Sequence, residues 1–319
     1  MTVGASAQNL NGAGATFPYP IYSKWFHEYS QLHPNVKINY QPIGSGGGIR
    51  QVTEGTIDFG AADVALSDQE MNNGKVKVQP IPTVMGAVVP VYNLPGLNTD
   101  LKFSGDVIGD IYLGKITKWN DPRIVAENPG VNLPAKSILP VYRSEGSGTT
   151  FIFTDFLSKT NPEWESKVGK NTSVKFPVGV GQKGNEGVSG MVRQVPYSFG
   201  YVELIYALQN KIPFGLVRNA DGKYLKASIE GVSAAAATKK MPADFRVSIT
   251  NAPGPNAYPI SSFTWLLIPR GGSPEKTQAL REFLSWMIEH GQDEASGLSY
   301  APLPKPVQEM VRKTVAQMK

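Results

Sequence analysis

The chain contains no cysteine. That absence excludes disulfides, a cysteine nucleophile, thiolate metal sites and iron–sulfur clusters. It also suits an oxidising compartment, where stray thiols are a liability. Histidine is nearly as scarce: His27, His33 and His290 are scattered and leave little material for a zinc site. No run of about 18 apolar residues occurs, which excludes a membrane-spanning helix. Charge is sparse and nearly balanced, with 31 Lys and Arg against 26 Asp and Glu among 319 residues, a net +5. The basic residues are dispersed, so this excess does not mark a nucleic-acid surface.

Glycine (33) and proline (25) are plentiful. They fall in short clusters without a period, which excludes collagen-like and low-complexity chains and implies many tight turns. A hydrophobic fraction of 41% supports a sizeable core, and the length is about two domains' worth at roughly 100–200 residues each. At the start, Ala5-Ser6-Ala7 is the small-residue pattern that signal peptidase cleaves after, with no hydrophobic segment ahead of it. The chain is read as beginning inside the tail of a removed signal peptide.

The first 65 residues read β-α-β-α-β. A strand begins at Leu10–Gly12. Pro18–Leu32 follows with Ile21, Trp25, Phe26 and Tyr29 on one helix face, and prolines are tolerable in a first turn. Val36–Tyr40 alternates as a strand, Gly44–Gly48 is a glycine-rich loop, Ile49–Glu54 a short helix and Ile57–Ala61 a strand. Such alternation argues for an α/β unit with a parallel sheet. Later strands are expected at Ile81–Tyr92, Ile138–Tyr142 and Phe263–Ile268, and helices at Val107–Leu113, Thr149–Leu157 and through Leu280, Phe283, Leu284, Met287 and Ile288. Gly179–Gly187 reads as a second glycine-rich stretch, Met191–Val195 as helical, and Tyr197–Ala207 as a turn, a strand and a helix start. Ala234–Ala237 reads as part of a surface helix and Lys305–Lys319 as a terminal helix.

Three segments share one grammar of extended stretch, Gly/Ser/Thr loop and helix start: Gly12–Phe17, Gly44–Gly48 and Gly146–Thr149. Each offers unpaired amides at the positive end of a helix dipole, with hydroxyls beside them, and glycines that let a ligand approach the backbone. Together they point to an oxyanion site. Nucleotide motifs fit poorly. Gly109 with Gly114-Lys115 comes near the NTPase phosphate loop, but Ile116 stands where Ser or Thr is needed. The string Gly179, Gly181, Gly184 is a lone dinucleotide-type match, preceded by Pro177. No nucleophile elbow surrounds Ser45, Ser147 or Ser189.

Arg143-Ser144-Glu145-Gly146-Ser147-Gly148-Thr149 carries the sharpest signal. Arg143 supplies a planar fork able to hold two oxygens of a tetrahedral anion, and Glu145 is near enough in sequence to orient it. Asp63 follows an apolar strand end, where ligand clefts open in α/β sheets. A carboxylate suits an anion site if the anion carries a proton, because an ionised carboxylate only accepts. Phosphate has an O–H to donate at neutral pH; sulfate has none and would meet repulsion.

These residues resemble a known family. Leu10–Pro18 (LNGAGATFP), Ile43–Gly48 (IGSGGG), Asp58–Asp63 (DFGAAD) and Gly146–Phe151 (GSGTTF), with Gly109–Lys115, Lys118–Asp121, Gly184–Gly187 and Gly200–Glu203, are similar to the periplasmic phosphate-binding proteins of bacterial ABC phosphate transporters. The resemblance runs from about residue 10 to 315. It implies a type II periplasmic-binding-protein α/β fold of two lobes, each a central mixed β-sheet flanked by helices, with the ligand in the interlobe cleft. Residues 1–92 plus 258–319 would form one lobe and 93–257 the other, closing on a dehydrated phosphate by a hinge motion. It also implies that Thr16 and Phe17 donate from the first loop, Ser45 donates from the second, Asp63 accepts the phosphate proton, Arg143 binds bidentately, and Ser147, Gly148 and Thr149 close the cage. Glu145 stands where better-known members carry Asp. The charge is kept, so Arg143 is expected still to be held, with its guanidinium slightly shifted.

The resemblance further implies an exported periplasmic monomer that delivers phosphate to membrane permease subunits, with no catalytic residue, metal or cofactor. Two rival readings use the same anion loops. A phosphoesterase would need a nucleophile or metal, for which no His or carboxylate cluster is apparent. A receptor for another oxyanion such as sulfate would contradict the role of Asp63.

Overall fold

The computed structural model describes residues 8–318. Ala5-Ser6-Ala7 and Lys319 lie outside the described residues. Among the described residues, eleven strands form in chain order: β1 (Gln8–Gly14), β2 (Val36–Gln41), β3 (Phe59–Ala62), β4 (Val78–Tyr92), β5 (Lys102–Phe103), β6 (Leu139–Arg143), β7 (Val180–Gln182), β8 (Ser198–Glu203), β9 (Leu216–Arg218), β10 (Tyr224–Leu225) and β11 (Ser261–Pro269). They belong to two compact units. The first holds the described residues through Met85, then Met241–Ser248 and those from Phe263 on. The second holds Gly86–Lys240 and Ile249–Ser262.

In the first unit the strand order is β2-β1-β3-β11-β4. β1 runs parallel to β2 and β3, pairing Gly14 with Ala61, while β11 returns antiparallel to β3, pairing Leu266 with Ala61. The expected β-α-β-α-β start is therefore present, and the sheet around it is mixed. Helix Tyr19–Leu32 buries Ile21, Tyr22, Trp25, Phe26 and Tyr29. Phe26 meets Phe59 of β3 at 5.7 Å and Phe283 of helix Pro274–Trp286 at 5.3 Å between ring centroids. Each such buried aromatic contributes roughly 1.5–3 kcal/mol by transfer from water. This core fixes the helix against the sheet and so fixes where β1 hands over to it.

In the second unit β4, β8, β6 and β7 follow in that order, and β10-β9-β5 make a small second sheet. β6 is parallel to both β7 and β8. Beneath β6 and β8 lies an aromatic cluster in which Phe153 stacks on Tyr201 at 4.1 Å and Tyr112 meets Phe153 at 5.4 Å. Phe153 belongs to helix Gly148–Thr160, so the cluster clamps that helix onto the strands.

Two expectations need correction. Gly44–Gly48 is not a loop before a helix, because helix Ser45–Glu54 starts at Ser45 and contains Gly46, Gly47 and Gly48. The glycine-rich stretch Gly179–Gly187 spans β7 and opens helix Gly184–Gln194. Pro177 precedes β7 without preventing it, because β7 pairs on one side only. The Ala234–Ala237 segment ends helix Ile229–Ala237, whose Val232, Ala235 and Ala236 are buried, so small side chains there serve packing.

Candidate functional site

On the first unit, the C-terminal ends of β1 and β3 and the first turn of helix Ser45–Glu54 meet backbone to backbone. Gly14 has φ +146°, and a Cβ on it would lie 2.1 Å from the Ala61 carbonyl oxygen. A Cβ on Gly48 would lie 2.5 Å from Gly14 Cα and 2.6 Å from Ala13 O. Glycine's low helix propensity is overridden because only glycine lets this helix sit on two strands. The Gly44 amide donates to Gly14 O at 2.8 Å and the Ala15 amide to Ala61 O at 3.0 Å.

This junction gathers the expected residues of the first unit. Thr16, Phe17, Ser45 and Asp63 are all at most 2% exposed. The Ser45 hydroxyl accepts from the Asp63 amide at 3.2 Å and lies 3.4 Å from Asp63 Oδ2 as donor. Thr264 of β11 donates its hydroxyl to Asp63 Oδ1 at 2.7 Å. The carbonyls of the first loop are engaged in turn: Ala15 O accepts from Tyr40 Oη at 2.7 Å, Thr16 O from the Tyr19 amide at 3.2 Å, and Phe17 O from Tyr300 Oη at 2.6 Å.

On the second unit, β6 ends at Arg143 and helix Gly148–Thr160 begins five residues after it, with Ser147 as N-cap. Arg143 has a side chain 1% exposed. Its Nε donates to Glu145 Oε1 at 2.8 Å, its Nη2 donates to the same oxygen, and its Nη1 donates to Thr149 Oγ1 at 3.2 Å. Glu145 Oε1 also accepts from the Gly184 amide at 3.0 Å, while Oε2 is buried with no hydrogen-bond partner. The longer Glu side chain thus holds the arginine through one oxygen rather than fork to fork.

Ser147 Oγ accepts from the Thr150 amide at 3.1 Å, and the Ser147 amide donates to Thr172 O at 2.8 Å. What Ser147 retains to offer is its hydroxyl hydrogen and one oxygen lone pair. The Gly148 and Thr149 amides stand in the first helical turn, where no helix carbonyl faces them. Behind them, Tyr201 Oη accepts from the Arg143 amide at 3.3 Å and lies 2.6 Å from Thr150 Oγ1. Burial pushes that phenol up to about 12, so it stays protonated at neutral pH.

The sequence reading missed Thr264, Tyr300, Tyr201 and Asn185. Thr264 had a signal, a lone hydroxyl inside the apolar run Phe263–Ile268; the others act across long sequence separations. Among the described residues, no group of three or more His, Asp or Glu is arranged to hold a metal ion, and no helix is long and apolar enough to cross a membrane.

A family model for the PBP superfamily domain matches residues 2–290. The chain is 46% identical over 299 residues to the phosphate-binding protein PstS of Xylella fastidiosa, covering 92% of this chain and 81% of that protein. It is 44% identical over 317 residues to the phosphate-binding protein PstS of Pasteurella multocida, covering 98% and 90%. Among solved structures, it resembles a phosphate-binding protein from Stenotrophomonas maltophilia, with TM-score 0.74, 18% identity, and 96% and 94% of the two chains covered. An ABC-type phosphate transport receptor from Vibrio cholerae matches with TM-score 0.61, 17% identity, and 92% and 100% covered. At such identities the structural likenesses carry the fold, and the sequence relatives carry the family. The chain belongs to the PBP superfamily and, within it, to the PstS phosphate-binding proteins.

Proposed function

We propose that this protein binds inorganic phosphate with high affinity and delivers it to an ABC permease for import. The first unit supplies Thr16, Phe17, Ser45 and Asp63, and the second supplies Arg143, Ser147, Gly148 and Thr149, with Glu145 orienting Arg143. The relatives are named as phosphate-binding proteins, which supports a binding role for this chain. The protein acts as an exported periplasmic monomer, with phosphate as ligand and no cofactor.

The observation that carries the reading is the buried Asp63 beside a set of donors. An acceptor-only carboxylate among donors matches an anion that is acceptor on most oxygens and donor through one O–H. Binding at micromolar Kd or tighter corresponds to about −8 kcal/mol or more. Several charge-assisted hydrogen bonds of roughly 1.5–3 kcal/mol each supply this after desolvation and ordering.

Calorimetric titration of ligand-stripped protein with phosphate, then sulfate, then arsenate at one pH tests the proposal. One-to-one phosphate binding with no sulfate heat is expected. Folded, stripped protein that takes up no phosphate would overturn it, and tight sulfate binding would overturn the role of Asp63.

A further inference from the structure

Thr149 Oγ1 receives two hydrogen bonds on the second unit. One comes from Arg143 Nη1 at 3.2 Å, the other from Asn185 Nδ2 at 3.1 Å. A threonine hydroxyl has two acceptor lone pairs and one hydrogen. Both lone pairs are taken, so the group can only donate, and no acceptor for that hydrogen lies within reach among the described residues. Asn185 cannot reverse its part. Its Oδ1 accepts from the Glu203 amide at 3.0 Å, which requires the NH2 to face Thr149. Asn185 and Glu203 are both fully buried, in the first turn of helix Gly184–Gln194 and at the end of β8, so the amide is locked.

We propose that Asn185 is a positioning residue that makes the Thr149 hydroxyl an obligate hydrogen-bond donor to the bound anion. The inference rests on the phosphate reading above and adds a selectivity device to it. With Thr149 committed, the Arg143 guanidinium, the Thr149 hydroxyl and the first-turn amides all donate, and only Ser147, whose Oγ accepts a single bond from the Thr150 amide, keeps a lone pair beside them. A ligand oxygen carrying a proton is disfavoured against those donors, which leaves the ligand's P–OH to Asp63. An alanine at 185 would let the hydroxyl turn and spend its hydrogen elsewhere. An aspartate would keep an acceptor for the Glu203 amide yet present a second acceptor to Thr149, drawing the hydroxyl hydrogen away from the anion.

A double-mutant cycle on the full chain reads this coupling. Phosphate affinity is measured by calorimetry for wild type, Asn185→Ala, Asn185→Asp, Thr149→Val and the two double variants, with ligand-free melting of each as the folding control. Asn185→Ala is expected to weaken phosphate by about three- to tenfold, one net hydrogen bond's worth. In the Thr149→Val background the same change should cost almost nothing. Asn185→Asp, which retains the contact to Glu203, should weaken binding more than Asn185→Ala, and by less once Thr149 is Val. A purely structural Asn185 would give equal losses in both backgrounds, and additive losses in a wild type that binds phosphate would overturn this inference alone. A wild type that takes up no phosphate would overturn the functional reading and this inference with it.

Discussion

Asp63→Asn puts the proton-acceptor argument at risk most directly. Asp63 is 1% exposed, with Oδ1 fixed by the Thr264 hydroxyl at 2.7 Å and Oδ2 lying 3.4 Å from Ser45 Oγ. An asparagine would keep its carbonyl oxygen on Thr264, because that hydroxyl donates, and so place its NH2 where Oδ2 stands. The acceptor becomes a donor with little change of shape. Phosphate then loses a charge-assisted hydrogen bond of about 1.5–3 kcal/mol and points an O–H at an N–H, an unpaired buried donor costing about 1–3 kcal/mol more. Together these amount to a loss of about 2.5–6 kcal/mol, which weakens phosphate by about 70- to 25,000-fold. Sulfate gains instead, because like-charge repulsion is replaced by a donor. Equilibrium dialysis of stripped wild type and variant against labelled phosphate and sulfate at pH 7 reads the ratio of affinities. The phosphate-to-sulfate preference should fall by at least about 100-fold; an unchanged preference, with both ligands weakened alike, would refute the reasoning.

Other perturbations test other links. Arg143→Ala should weaken phosphate by about 2–5 kcal/mol, or about 30- to 5,000-fold, since it removes a buried cation and strands the Glu145 carboxylate; a loss under about 1 kcal/mol in calorimetry would place the anion elsewhere. Gly48→Ala should destabilise the fold by about 3 kcal/mol or more in denaturant unfolding, because its Cβ meets only backbone atoms at 2.5 and 2.6 Å, which have no rotamer to change; a change under about 1 kcal/mol would mean the helix can slide without loss. Burial and the neighbouring Glu28 push the Glu294 carboxyl from its usual 4.5 up to about 7. A raised carboxyl contributes stability that is present below about pH 4.5 and lost as pH climbs through 7. Glu294→Gln should therefore be more stable than wild type at pH 8, by on the order of 1 kcal/mol, with the advantage shrinking toward pH 5; an advantage that grows on acidification would refute the assignment.

The parts of the fold legible in the sequence are those set by local pattern. The face Ile21, Trp25, Phe26, Tyr29 gave the first helix because 3.6-residue periodicity is a property of neighbours in sequence. Asp63 is legible because it follows an apolar strand end, and Arg143 because it supplies a planar fork ahead of the Gly146–Thr149 loop. Ser45 was identified but placed on a loop, since three successive glycines argue against helix unless something else requires them. The requirement, the Gly14 and Ala61 backbones under Gly48, comes from strands paired in space. Thr264 and Tyr300 act on residues 201 and 283 positions earlier, and no spacing rule links them to Asp63 or Phe17.

Those distant residues decide what the loops can offer. Without Tyr40 and Tyr300, the carbonyls of Ala15 and Phe17 would remain acceptors beside the Thr16–Phe17 amides, and the first loop would present mixed polarity to any ligand. Each phenol takes up one lone pair of its carbonyl, at 2.7 and 2.6 Å, and so reduces that ambiguity. Thr264 does the converse for Asp63, fixing one carboxylate oxygen so that the other keeps a defined direction. Loop motifs of Gly, Ser and Thr therefore supply donors in quantity, while side chains from elsewhere in the unit set their sign. On the proposed role of Asp63, an anion receptor of this design would discriminate by the number of protons on its ligand rather than by size, because size alone leaves phosphate and sulfate nearly indistinguishable while a single misplaced proton leaves a buried group unpaired.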